Sequence, residues 1–135
     1  MPKVHETFYD NGNRRSARYV THTSLHRKDG PAAISWYENG QLMYEEYYLH
    51  GDRHREDGPA VLFWQDNGLL VEEEYYVAGK RHREDGPALT GWQEDADAGV
   101  EPDIVYQYFY LNDKEVNVYD VLDEKAAFEW VLTHD

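Results

Sequence analysis

Short runs rich in apolar and aromatic residues, four to eight long, recur along most of this chain. They are Ala33 to Trp36, Leu42 to Leu49, Val61 to Trp64 and Leu70 to Val77, the second and fourth interrupted by acidic residues. Runs of that length, rich in aromatic residues and bounded by turn residues, mark β-strands, whose successive residues point to opposite faces. Asn39-Gly40 and Asn67-Gly68 separate paired runs. Asn-Gly between two apolar runs is the strongest short hairpin signal, since both residues tolerate positive φ. Each pair of runs therefore predicts a β-hairpin.

The hairpins recur. HRKDGPA begins at His26, HREDGPA at His54 and HREDGPA again at His82, a spacing of 28 residues both times. A tryptophan follows each motif, at Trp36, Trp64 and Trp92. The phase extends backward, with Phe8, Tyr9, Asn11 and Gly12 lying 28 residues before Trp36, Tyr37, Asn39 and Gly40. The whole chain, 1–135, reads as one repeat domain. It holds a partial unit over 1–25 and full units over 26–53, 54–81 and 82–116. In the third unit an insertion of six residues, inside GWQEDADAGVEPD, replaces the Asn-Gly turn. The connection GDRHREDGPA is longer than the Asn-Gly turn, and its Asp-Gly-Pro closes a turn of its own.

A two-residue turn at Asn39-Gly40 would pair Trp36 with Met43. One face would then carry Ile34, Trp36, Met43, Glu45, Tyr47 and Leu49, apolar except at Glu45. The other would carry a tyrosine and acid mixture that includes Tyr37, Tyr44, Glu46 and Tyr48. A bulge of one residue would change which residues share a face. Because 28 is even, the facing survives from unit to unit. The period changes only at the end. Asp120 with Asp123 resembles a capping box, and Leu122, Ala126, Ala127, Trp130 and Val131 recur at helical spacing. A short helix over 117–135 is expected to cap the sheet edge. The predicted fold is mostly β: one twisted antiparallel meander of repeated hairpins with a short C-terminal capping helix.

YENGQLMYEEYYLHG and WQDNGLLVEEEYYVAG resemble the MORN-like repeat variant of the YwqK-type antitoxin family. The HR(K/E)DGPA linkers are similar to those of repeat proteins common in large phages and giant viruses. The resemblance covers about residues 8–114. It implies an elongated antiparallel sheet, protein-binding roles and, in the YwqK-like group, neutralisation of a toxin. It carries no catalytic residue with it.

Composition adds charge and aromatic content. The formal net charge is −14, with twelve tyrosines and four tryptophans in 135 residues. Such acidity argues against direct nucleic-acid binding, which wants a basic face, and against docking on anionic lipid. It fits a protein partner with a basic surface. The charge is uneven, near +2 over residues 1–25 and −10 over 91–135. There are no cysteines, so thiolate metal sites and disulfides are excluded. No apolar run approaches the roughly 18 residues of a membrane span, and MPKVHETFYD has no apolar signal region. A cytoplasmic protein encoded by a phage or bacterium is expected.

Four constellations invite chemistry. His26, His54 and His82 could suggest metal, but equivalent positions in successive hairpins lie roughly 9–10 Å apart. That spacing does not converge on one ion. The plainer expectation is that these histidines and their neighbours Arg27, Arg55 and Arg83 brace the loops between hairpins. The arginines are also in register with Glu45 and Glu73, which suggests ion pairs across the sheet. Glu72 and Glu74 share a face, yet a single-layer sheet makes a poor hydrolase cleft. The insertion carboxylates lack the glycine and terminal glutamate spacing of a calcium loop.

The functional expectation is a non-enzymatic acidic protein-binding module with no cofactor and no metal. It would be an inhibitor that neutralises a bacterial toxin or host-defence protein by occluding its surface. A polyanion mimic and a structural assembly repeat are the alternatives. The expected contact residues are Glu94, Asp95, Asp97, Glu101 and Asp103 of the insertion, with Tyr106, Tyr108 and Tyr110 on the strand that follows.

Overall fold

The structure is a computed structural model, and it describes residues 2–116. The expected C-terminal helix over 117–135 lies outside the described residues. Within them the chain is all β-strand and turn, and every strand pairing is antiparallel. No helix among the described residues is long and apolar enough to cross a membrane.

Each unit contains two hairpins rather than one. The wide hairpin of the first full unit joins β4 (Ala33–Trp36) to β5 (Leu42–Glu46). The narrow one joins β6 (Tyr48–Leu49) to β7 (Asp52–Arg53). The second unit repeats this with β8 (Val61–Trp64) and β9 (Leu70–Glu74), then β10 (Tyr76–Val77) and β11 (Lys80–Arg81). The N-terminal unit supplies β1 (Lys3–Phe8), β2 (Arg14–Thr21) and β3 (Ser24–Leu25). The third full unit supplies β12 (Leu89–Trp92), β13 (Ile104–Leu111) and β14 (Lys114–Val116). The main sheet runs β1-β2-β4-β5-β8-β9-β12-β13-β14, with β3 paired to β2.

The two-residue turn was expected at Asn39-Gly40 and is found elsewhere. Of that pair only Gly40 has positive φ, at 91°. Tyr37 N donates to Gln41 O at 2.8 Å and Gly40 N to Tyr37 O at 3.0 Å, which closes a three-residue loop. The Asn39 side chain stays in the loop and accepts from Gln41 N at 2.9 Å. The extra loop residue shifts the register between Ser35 and Trp36, so Trp36 faces Leu42 and not Met43. The same bulge recurs in the second and third units.

The true two-residue turns close the narrow hairpins. His50 and Gly51 both have positive φ, at 50° and 86°, as do Ala78 and Gly79 at 50° and 82°. Two successive positive φ values are the requirement of a type I′ turn, whose twist matches the flanking strands. The narrow hairpins stack on one another: Gly51 N donates to Leu25 O, Gly79 N to Arg53 O and Asp113 N to Arg81 O. The long connection of the sequence reading is therefore half hairpin. Histidine and alanine before glycine are not the usual turn signal, and this hid it.

Burial is shared between the faces. Val61 is the largest fully buried side chain, and with Ala60 and Tyr76 it forms the core cluster against Tyr47 and Phe63. Val61 pairs with Glu46 on one side and Glu74 on the other, so it lies on the tyrosine and acid face. The expectation of a single apolar face bearing the tryptophans is thus corrected. Trp36, Trp64 and Trp92 are only half-buried. Long tyrosine, glutamate and arginine side chains cover apolar atoms with their stems while their polar tips stay paired.

The HR(K/E)DGPA loops are braced as expected, though with different partners. Arg55 Nε donates to Asp57 Oδ1 at 3.0 Å and Nη1 to Pro59 O at 3.1 Å, with its guanidinium 4.1 Å from the Tyr47 ring centre. Arg27 and Arg83 repeat this set with Asp29, Pro31 and Tyr19, and with Asp85, Pro87 and Tyr75. Glu45 and Glu73 feel the arginine charges but form no ion pair with them. The loop is shorter than the reach across the sheet, so each guanidinium closes on its own turn. The histidines tie the start of each unit to its own narrow hairpin: the Nδ1 atoms of His26, His54 and His82 accept from the backbone N–H of His50, Ala78 and Asn112.

Candidate functional site

The insertion is anchored at its base. In the regular units a side chain before the turn reaches the next unit. Tyr9 Oη donates to Trp36 O at 2.7 Å and Tyr37 Oη to Trp64 O at 2.8 Å. Gln65 occupies the following position and binds the insertion instead. Its Nε2 donates to Ala96 O at 2.6 Å, and its Oε1 accepts from Asp95 N at 2.9 Å. Asn67 Nδ2 also donates to Ala96 O, at 2.8 Å. Ala96 is buried by these contacts, while Glu94, Asp95, Asp97, Glu101 and Asp103 are all exposed. Gln93 N donates to Asp103 O at 2.8 Å and closes the loop. The five carboxylates are thus carried on a held loop. Among the described residues, no group of three or more His, Asp or Glu is placed to hold a metal ion.

The three tyrosines expected beside the insertion are divided. Tyr106 is half-buried, and its Oη donates to Glu72 Oε1 at 2.7 Å, across the intervening strand β12. This reach exists because Gly91 lies between Glu72 and Tyr106 in the ladder. A Cβ at Gly91 would fall inside the Tyr106 ring, so the ring occupies the space where the preceding unit has the side chain of Phe63. Tyr108 is exposed, with its ring centre 5.7 Å from that of Tyr106. Tyr110 lies apart from both, 5.4 Å under the Arg81 guanidinium.

Beside Tyr106 the sheet surface opens into a groove of about 620 Å³. Tyr37, Met43, Phe63, Val71 and Val105 supply its apolar lining, and Glu72 and Glu94 its carboxylates. Met43, Val71 and Val105 share this groove with Tyr37 and Tyr106, residues that a two-residue turn would have put on the opposite face. The bulge turns them there. Burial, then the hydrogen bond to Glu72 and the charges of Glu72, Glu74 and Glu94, push the Tyr106 phenol well above the usual tyrosine range. Burial and then Asp66 and Glu94 raise Tyr37 as well. The groove is therefore electronegative as well as aromatic. Both features suit a cation with an apolar stem.

Glu72 and Glu74 share a face, as the strand period requires, but both are engaged in hydrogen bonds. Glu72 accepts from Tyr106, and the buried Glu74 accepts from Tyr76 at 3.0 Å and from Arg81 at 3.3 Å. Sequence reasoning located the insertion and Tyr106. It weighed Glu72 only as half of a carboxylate pair with Glu74, and it missed Phe63, the place of Met43 in the groove, and the Gln65 and Asn67 anchor. The usable signal was Gly91, which breaks the repeat where Ser35 and Phe63 stand in the units before it.

No known protein family, curated protein or solved structure matches the chain.

Proposed function

We propose that this chain is a non-enzymatic, acidic protein-binding module whose contact surface is the insertion together with the groove beside Tyr106. The partner is a protein with a basic surface. The role is that of an inhibitor that occludes a site on a bacterial toxin or host-defence protein, within the cytoplasm of a bacterial host. The inhibitory role rests on the resemblance of the repeat motif to antitoxin repeats. The contact surface rests on one observation: Gln65 and Asn67 hold the insertion, which carries five exposed carboxylates, and one of them, Glu94, lines an open aromatic groove. Holding the loop before binding removes part of the ordering cost of association. Long-range attraction by the net charge of −14 speeds encounter and makes it sensitive to salt.

The test compares the native chain with a Glu94→Gln, Asp95→Asn, Asp97→Asn variant as bait in a lysate of the bacterial host, with captured proteins identified by mass. A basic protein held by the native chain, released by salt and lost by the variant, is the expected result. Equal capture by both baits would refute the assigned surface, and failure to capture any salt-sensitive partner would refute the function.

A further inference from the structure

Resting on the protein-binding reading above, we propose that the groove beside Glu72 and Tyr106 is a receptor for a single arginine side chain supplied by the partner. The argument comes from the molecule's own repeats. Among the described residues three carboxylate–tyrosine pairs lie on the tyrosine and acid face. They are Glu46 with Tyr48 at 2.6 Å, Glu74 with Tyr76 at 3.0 Å, and Glu72 with Tyr106 at 2.7 Å.

The first two pairs each hold an arginine of the chain. Arg53 Nε donates to Tyr48 Oη and Nη1 to Tyr76 Oη, both at 3.3 Å, and Nη2 lies 3.8 Å from Glu46 Oε1. Its guanidinium is 5.3 Å from the Tyr76 ring centre. Arg81 repeats the arrangement one unit later. Its Nε donates to Tyr76 Oη at 3.2 Å, Nη2 to Glu74 Oε1 at 3.3 Å, and its guanidinium lies 5.4 Å from the Tyr110 ring. Arginine suits this cradle because its planar fork serves a carboxylate and a phenol at once, and because it is weakly hydrated and stacks on rings.

The third pair has no such occupant. Among the described residues no lysine or arginine reaches Glu72 or Tyr106. In place of an arginine stem the pair faces the groove of about 620 Å³, with Tyr37 and Phe63 as ring walls and Glu94 at the rim. Gly91 explains why the pair survives here at all, since only a residue without Cβ lets the Tyr106 ring cross to Glu72. The site thus has the carboxylate, the phenol and the aromatic walls of the two filled sites, without the cation.

The test uses the full chain and a blocked Gly-Arg-Gly peptide, with blocked lysine and citrulline counterparts as controls. Binding is followed by the NMR resonances of the Gly91 amide and the Tyr106 ring. The arginine peptide is expected to shift both, with an affinity about tenfold or more above either control. Glu72→Gln keeps an acceptor oxygen for Tyr106, so it retains the fold, and is expected to lose about tenfold in arginine affinity. Tyr106→Phe removes the phenol and is expected to lose affinity in the same direction. Equal response to arginine and citrulline, shifts that bypass Gly91 and Tyr106, or unchanged affinity in Glu72→Gln would each overturn the proposal. A salt-sensitive partner captured equally well by native and Glu72→Gln chains would overturn the receptor and leave the binding surface of the insertion standing. Arginine binding at Gly91 with no protein captured would do the reverse.

Discussion

Replacing Arg55 with alanine removes the central loop brace, and its cost can be worked from the contacts. The hydrogen bond to Asp57 is also an ion pair, but that carboxylate is 87% exposed, so it is worth less than about 1 kcal/mol. The bond from Nη1 to the part-buried Pro59 carbonyl adds about 1 kcal/mol. The guanidinium 4.1 Å over Tyr47 adds about 1 kcal/mol, the upper end of the range for exposed pairs, because the arginine is only a quarter exposed. Loss of the apolar stem brings the total to about 3 kcal/mol. For a chain of 135 residues that lowers the melting temperature by roughly 10 °C. Thermal unfolding followed by near-ultraviolet circular dichroism measures it.

Two companion variants identify the partner. Asp57→Asn is expected to lose less than about 1 kcal/mol, because only the exposed ion pair weakens. Glu45→Gln is expected to lose nothing, since Glu45 senses the Arg55 charge without bonding to it. If Arg55→Ala melts within about 2 °C of the native chain, the brace is not what holds the loop. If Glu45→Gln matches its loss, the stabilising pair runs across the sheet after all.

Two further expectations concern stability. Ala78 sits at φ 50° in a type I′ turn, a conformation that costs alanine roughly 1 kcal/mol and asparagine less. Ala78→Asn should therefore raise the denaturation midpoint by about that energy; a lower midpoint would contradict the turn assignment. Burial raises the Glu73 carboxyl above its ordinary value of 4.5, with Arg83 opposing. The folded chain then binds that proton more tightly than the unfolded one, so this group gains stability as pH falls through its folded value toward 4.5 and opposes folding at neutral pH. Glu73→Gln should raise the melting temperature at pH near 7 and reduce the gain on mild acidification. A variant that melts lower at neutral pH would refute this.

The sequence by itself determined the repeat, its phase and the strands of its wide hairpins. Those follow from local chemistry: short apolar and aromatic runs, the 28-residue recurrence and loops rich in glycine and proline. It also placed the insertion, because a broken period is visible without coordinates. Only the tertiary structure decided the facing and the partners. One bulge residue per wide hairpin moved Met43, Val71 and Val105 into the groove, a shift no composition rule signals. The second hairpin of each unit went unread because a type I′ turn can be forced on His50 or Ala78 by the strands around it. The arginines were visible at once, but their ligands depended on reach. Arg55 closes on Asp57 two residues away, whereas Arg53 crosses to Tyr76 in the next unit. Gly91 lies between the two: legible as a missing side chain, and given meaning only when Tyr106 is seen to fill its place and bind Glu72.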